Sequence, residues 1–235
     1  MGNDTMDIDQ LATYLRRDAR ELNKLVNRGN LPGRKVGGEW RFTRTEINHW
    51  VETQLHEYDE KQLVNVESTA TAPATLREAV VSVMLSEACM AVPLPVRTKD
   101  SVLRELVKLA EQSWHVYDPE AVLAAIQQRE AVGSTALPSG VAIPHLHRPM
   151  PGAMGDTVIA YGRTHSGIPF GAERGGLTDI FFLVLTHDER NHLRVLARLS
   201  RLLLRPGFID ELRAAETTGE TMQVIEEAER ALATA

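Results

Sequence analysis

The chain has 235 residues, 43% of them hydrophobic and 25% charged, which suits one large globular domain or two small ones. Its net charge of −6 excludes whole-chain attraction to nucleic acid or to an anionic membrane, though not a local basic face. No apolar run approaches membrane-spanning length, the densest being 79–85 and 180–185.

The start of the chain, with Asp4, Asp7 and Asp9, lacks the basic-then-apolar order of a signal peptide. Cys89 has no second cysteine to pair with, which fits a reducing cytosol and predicts a cytoplasmic protein. Asp7 followed by Gln10 marks a helix start, with Ile8, Leu11, Ala12 and Leu15 on its apolar face. A second helix is predicted from Asp18 to Asn27 and ends at Gly29. Gly37-Gly38 joins the extended pieces Arg34-Lys35-Val36 and Glu39-Trp40-Arg41-Phe42 into a hairpin. Thr43 and Glu46 read as a capping box for a third helix carrying Ile47, Trp50 and Val51. Trp40 and Trp50 read as core.

This order of helix, helix, hairpin and helix resembles the winged helix-turn-helix domain of the excisionase and MerR-like group, over about residues 6–55. Arg28-Gly29-Asn30-Leu31-Pro32, Lys35-Val36-Gly37-Gly38-Glu39-Trp40-Arg41-Phe42 and Glu46-Ile47-Asn48-His49-Trp50 carry the resemblance. It implies DNA binding, with the second helix in the major groove and the hairpin on the backbone or minor groove. Arg17, Arg20, Asn23 and Lys24 would then face bases or phosphates, and Arg34, Lys35 and Arg41 would lie on the wing. Residues 1–55 hold nine Lys/Arg against eight Asp/Glu, so one copy should bind DNA weakly. A homodimer would relieve that, and docking to protein is the other use of such a face.

Residues 57–75 are read as a linker, polar and acidic at first and then small and Pro-containing. The domains are therefore set at 1–56 and 76–235. Thr75 with Glu78 predicts a helix through Val81 and Leu85, and 89–96 a strand. Helices follow from Thr98-Lys99-Asp100 and from Asp118-Pro119, the second ending at Arg129-Glu130. Strands are predicted at 158–161 and 180–185, and helices after His187-Asp188 and over 208–215 and 221–232. Alternating strands and helices give an α/β fold.

Between them lies Gly133-Ser134-Thr135-Ala136-Leu137-Pro138-Ser139-Gly140-Val141-Ala142-Ile143-Pro144-His145. A loop leads into a short apolar strand, Pro144 ends it, and His145 follows on a rigid backbone. Imidazole titrates near cellular pH, so a neutral, nucleophilic nitrogen is available there.

This stretch resembles the phosphorylation loop of enzyme IIA domains of the fructose, mannitol and nitrogen branch of the bacterial sugar phosphotransferase system. Arg129-Glu130, Gly133-Ser134-Thr135 and Gly140-Val141-Ala142-Ile143-Pro144-His145 carry it, Gly167-Ile168-Pro169-Phe170 and His192-Leu193-Arg194-Val195-Leu196-Ala197-Arg198-Leu199 extend it, and it covers about residues 83–235. The resemblance implies an enzyme IIA-type mixed sheet flanked by helices. It also implies phosphorylation of His145 by a histidine-containing phosphocarrier protein, with no cofactor. Arg129 and His192 would complete the catalytic set, Ser134 and Thr135 would support the phosphoryl group, and Glu130 would orient or cap. Leu146 stands where the family usually has glycine.

The whole then reads as a phosphoryl acceptor joined to a DNA-binding module, a nitrogen- or carbon-regulatory protein with a regulatory target or a IIB-type acceptor as further partner. Two other readings stand beside it: a binding module using the IIA fold as a sensor surface, and a sugar-transport phosphocarrier with an adaptor domain. A metal site is a third, with His145 and His147 as a His-x-His pair and His192 as third ligand. Pro144 and Pro149 bracket that pair, no carboxylate or thiol motif adjoins it, and the IIA resemblance implies no metal.

Overall fold

Asp7 accepts from the Gln10 amide at 2.8 Å and the Gln10 side chain accepts from the Asp7 amide at 3.0 Å, which fixes the start of α1 (Ile8–Leu15). Asp18 caps α2 (Ala19–Asn27) through the Arg20 and Glu21 amides. This is a computed structural model, and it describes residues 5–68 and 80–234. Ahead of α1 lies a two-residue strand, β1 (Thr5–Met6). The hairpin of β2 (Arg34–Val36) and β3 (Glu39–Thr43) turns at Gly37 and Gly38, whose φ of +61° and +88° side-chain-bearing residues rarely adopt. The three strands form an antiparallel sheet in the order β1-β3-β2. With α3 (Arg44–Gln54) they bury Leu11, Leu22, Phe42, Ile47 and Val51. Trp40 and Trp50 lie half-buried against this core.

The expected capping box at Thr43 and Glu46 does not form. Arg34 holds the Glu46 carboxylate at 2.6 Å, and the Thr43 hydroxyl donates to it at 2.7 Å instead of accepting from a helix amide.

The stretch expected as a linker is also different. Residues 60–68 form α4 (Glu60–Ser68), with Leu63 and Val66 buried one turn apart. Two apolar side chains at helical spacing in a polar run are enough when a neighbouring domain covers them. Residues 69–75, with the expected helix start at Thr75 and Glu78, lie outside the described residues.

The second half opens with α5 (Val81–Met84), and Leu85 already belongs to β4 (Leu85–Ala91) instead of to a helix. That strand ends before 96 because Pro93 and Pro95 offer no ladder amide. Next come α6 (Lys99–Glu111), α7 (Pro119–Val132), β5 (Val141–Ala142), β6 (Val158–Ile168) and β7 (Thr178–Leu185). The chain closes with α8 (Glu189–Leu204), α9 (Phe208–Ala214) and α10 (Thr218–Thr234). The sheet order is β4-β6-β7-β5, with β6 and β7 antiparallel and both outer pairs parallel. Ile180 to Leu185 are all buried, as expected for a continuous apolar run in an inner strand. Helices flank this mixed sheet, and no helix among the described residues is long and apolar enough to cross a membrane.

The two halves meet along α8. Glu60 and Glu67 of α4 hold Arg201 at 2.7 Å each, and Glu67 also accepts from Arg198 Nε at 2.8 Å. Near the far end of the chain, buried Glu229 of α10 accepts from the Val80, Val81 and Ser82 amides at 2.9 Å, closing the first turn around α5.

Candidate active site

His145 is positioned by backbone on both sides. Ile143 N donates to Thr135 O at 3.2 Å, Val184 N donates to Pro144 O at 2.8 Å, and His145 itself bridges β7 in parallel. Gly140 at the loop's turn has φ +86°, and a Cβ there would meet Arg213 at 2.7 Å, so the loop takes only glycine without rearrangement.

The ring's partners assign its tautomer. Nδ1 lies 2.7 Å from Ile143 O, a pure acceptor, so Nδ1 carries the hydrogen. Arg129 Nε donates to Nε2 at 3.2 Å, so Nε2 presents its lone pair. Burial pushes the His145 pKa below its ordinary value, and the nearby Glu52 carboxylate opposes that shift without cancelling it. Arg129 also donates from Nη1 to Gly133 O at 3.0 Å, which ties it to the start of the loop. His192, in the first turn of α8, sets its ring edge-on to His145 with centroids 5.6 Å apart. Thr186 fixes His192 through Nδ1 at 3.0 Å.

The structure thus brings His145, His192 and Arg129 together, all less than a tenth exposed. It places Ser134 and Thr135 on the same loop, with their hydroxyls turned elsewhere. Ser134 Oγ donates to Phe170 O at 3.0 Å, and Thr135 Oγ1 donates to Glu130 at 2.7 Å. Glu130 also accepts from the Thr135 amide at 3.0 Å and pairs with Lys99 at 3.0 Å. Glu130 therefore orients the loop, and Ser134 and Thr135 shape it from within.

One residue of the site comes from the other domain. Glu52 on α3 is buried between the two imidazoles, with Oε1 2.6 Å from His192 Nε2 and Oε2 3.4 Å from His145 Nε2. Oε2 is also 3.4 Å from His49 Nδ1. Burial alone would raise the Glu52 pKa, but His145, His192 and His49 around it outweigh burial and hold it well below the carboxylate range. Neither Glu52 nor His49 stands out in the sequence as a site residue. The available signal is their three-residue spacing, which puts an imidazole and a carboxylate on one helical face. A cleft of about 530 Å³ remains open beside them, bounded by His56 and Thr53 on one side and by Gly133 and Pro138 on the other.

The rival three-histidine metal set is not formed as such among the described residues. His145 and His192 group with Glu52, whereas His147 groups with His49 and Glu52, the donor atoms of each set lying within 4.8 Å of one another. Either set has ligand types that suit zinc. The guanidinium of Arg129 against His145 Nε2 makes the inner position better suited to an anion than to a cation.

Of the residues assigned to DNA, Arg20 and Lys24 are exposed and Asn23 is half-exposed, all on α2. Arg17 pairs with Glu21 and lies over the Trp50 ring, Arg34 pairs with Glu46, and Arg41 pairs with Glu39 at 2.7 Å. Lys35 stacks on Trp40 with Nζ 5.0 Å from the ring centre.

Residues 83–228 match the family model described as phosphoenolpyruvate-dependent sugar phosphotransferase system, EIIA 2, and residues 5–55 match a helix-turn-helix domain. A nitrogen regulatory protein of Bradyrhizobium diazoefficiens is 34% identical over 125 residues, 52% of this chain and 78% of that protein. The fructose-specific EIIABC component of Bacillus subtilis is 29% identical over 131 residues, 55% of this chain. The chain spans only a fifth of the length of that component. Among solved structures, the nitrogen regulatory protein IIA-Ntr of Neisseria meningitidis superposes with a TM-score of 0.57 at 24% identity, over 63% of this chain and 99% of the other.

Proposed function

Because the chain belongs to the phosphoenolpyruvate-dependent sugar phosphotransferase system EIIA 2 family, we propose that His145 accepts a phosphoryl group from a histidine-containing phosphocarrier protein in the cytoplasm. The observation that carries this reading is the state of the ring. One nitrogen is fastened to the Ile143 carbonyl, and the other holds its lone pair toward a guanidinium and a second histidine.

In the transfer, His145 Nε2 attacks phosphorus and the donor's P–N bond breaks, so the electron pair returns to the donor imidazole. The His145 ring gains positive charge as its new P–N bond forms. The Nδ1–H···O bond to Ile143, already 2.7 Å long, strengthens with that charge. Arg129 Nε–H, which rests on the lone pair, is released to a phosphoryl oxygen as the lone pair is used. His192 stands where its Nε2–H can donate to a second oxygen.

A helix-turn-helix domain precedes this site, and the relatives of the chain include nitrogen regulatory proteins. Both features support a regulatory protein, in which the phosphoryl state of His145 governs contacts of the N-terminal domain with DNA through Arg20, Asn23 and Lys24. The test is intact-mass measurement after incubation with phosphoenolpyruvate, the general phosphotransferase enzyme and the phosphocarrier protein. An acid-labile phosphoryl adduct is expected on the wild type and none on His145→Gln. Equal adducts on both proteins would move the acceptor elsewhere, and no adduct on any form would reject the reading.

A further inference from the structure

Phosphoryl transfer between two proteins requires the acceptor nitrogen to meet the donor's phosphohistidine in line. In this arrangement it cannot. His145 is only 5% exposed, and the carboxylate of Glu52 fills the space that its Nε2 lone pair faces, with one oxygen 3.4 Å away. The other oxygen takes the Nε2–H of His192 at 2.6 Å, the donor best placed for a phosphoryl oxygen. Glu52 therefore stands as an anion in the place the phosphoryl group would take, and holds its His192 donor.

Building on the phosphoryl-acceptor reading, we infer that Glu52 is an internal ligand of that site, so that docking of the helix-turn-helix domain and phosphorylation of His145 exclude one another. The interface is built for it. The Glu52 side chain is only 2% exposed although it is charged, and burying a carboxylate is unfavourable unless hydrogen bonds compensate. Its compensation comes from the imidazoles of His192 and His49. A phosphoryl group on Nε2 would bring about −1.5 to −2 charges into that place, beside the carboxylate and far from water. Steric overlap and like charge then both expel Glu52, and α3 loses its hold on His192. Conversely, while Glu52 is seated, a phosphocarrier finds neither the lone pair nor the His192 donor.

The experiment uses the full chain, with chelator present throughout, and two readouts. The first is carbethoxylation of each histidine by diethyl pyrocarbonate, followed by peptide mass analysis, with exposed His115 and His165 as internal references. His145 should react at least tenfold more slowly than the references in the wild type, and Glu52→Ala should bring it to within a few-fold of them. The second is the initial rate of phosphoryl transfer from the phosphocarrier, expected to rise about tenfold or more in Glu52→Ala and by less in Glu52→Gln, which keeps the shape and loses the charge. Circular dichroism of both variants checks folding; were Glu52→Ala to lose structure, Glu52→Gln carries both readouts.

Equal His145 reactivity in wild type and folded variants would overturn the inference, whatever phosphotransfer does. So would protection that is absent with chelator and appears only in a parallel chelator-free sample given zinc, because a metal and not the bare carboxylate would then join the domains. Phosphotransfer at equal rates in all forms would also overturn it while leaving His145 as acceptor. Protection with no phosphoryl adduct on any form would reject both the acceptor reading and the exclusion built on it.

Discussion

At His145 one ring nitrogen is fastened to backbone, and Arg129 is the cation that donates to the other. The rigid fork of Arg129 bridges Nε2 and the Gly133 carbonyl at once, which a lysine's single ammonium cannot do. Arg129→Lys should therefore slow phosphoryl acceptance by about 10- to 100-fold, read as the initial rate of adduct formation. A rate within twofold of wild type would show that Arg129 only shapes the loop. At this scale the sequence was informative where a motif is contiguous. The proline before His145 and the glycines before it specify a strand end and a turn, and those are local. The hydroxyls of Ser134 and Thr135 were harder to place, because a hydroxyl donates to whichever acceptor lies nearest, and here these are the Phe170 carbonyl and Glu130.

Among the elements, helix starts were legible because each cap is written within a few residues, as at Asp7, Asp18 and Asp118. Thr43 failed that rule because Arg34, from the wing, reached Glu46 first. The α4 helix was not legible, since its two buried side chains gain their cover from α8, far along the chain. Element ends can carry as much weight as their middles. Glu229 satisfies the Val80, Val81 and Ser82 amides and the Ser82 hydroxyl from within the core, and lies 3.5 Å from Arg198. Glu229→Ala leaves those buried donors without a partner and should cost about 3 kcal/mol or more of unfolding free energy. Chemical denaturation at neutral pH would measure it, and a loss under about 1 kcal/mol would mean that water replaces the carboxylate.

Across the whole molecule, α2 keeps Arg20 and Lys24 exposed while α3 of the same domain is seated on His145 and His192. If these two cations meet phosphates, Arg20→Ala and Lys24→Ala should each weaken DNA binding on all sequences and reduce the salt slope by about one. Fluorescence anisotropy across a salt series would read both effects, and an unchanged slope would remove α2 from the DNA face. The union of the domains could not be read from the sequence. The partners of Glu52 across the interface, His145 and His192, lie 93 and 140 residues away from it, and no local pattern announces a contact of that kind. Yet that contact decides how the protein would report its surroundings. A ligand carried on the same chain is present at one fixed effective concentration, set by the tether and not by how much protein a cell makes. The proportion of open molecules would thus follow the charging of the phosphocarrier pool and stay the same when expression rises or falls, which gives the chain a built-in calibration.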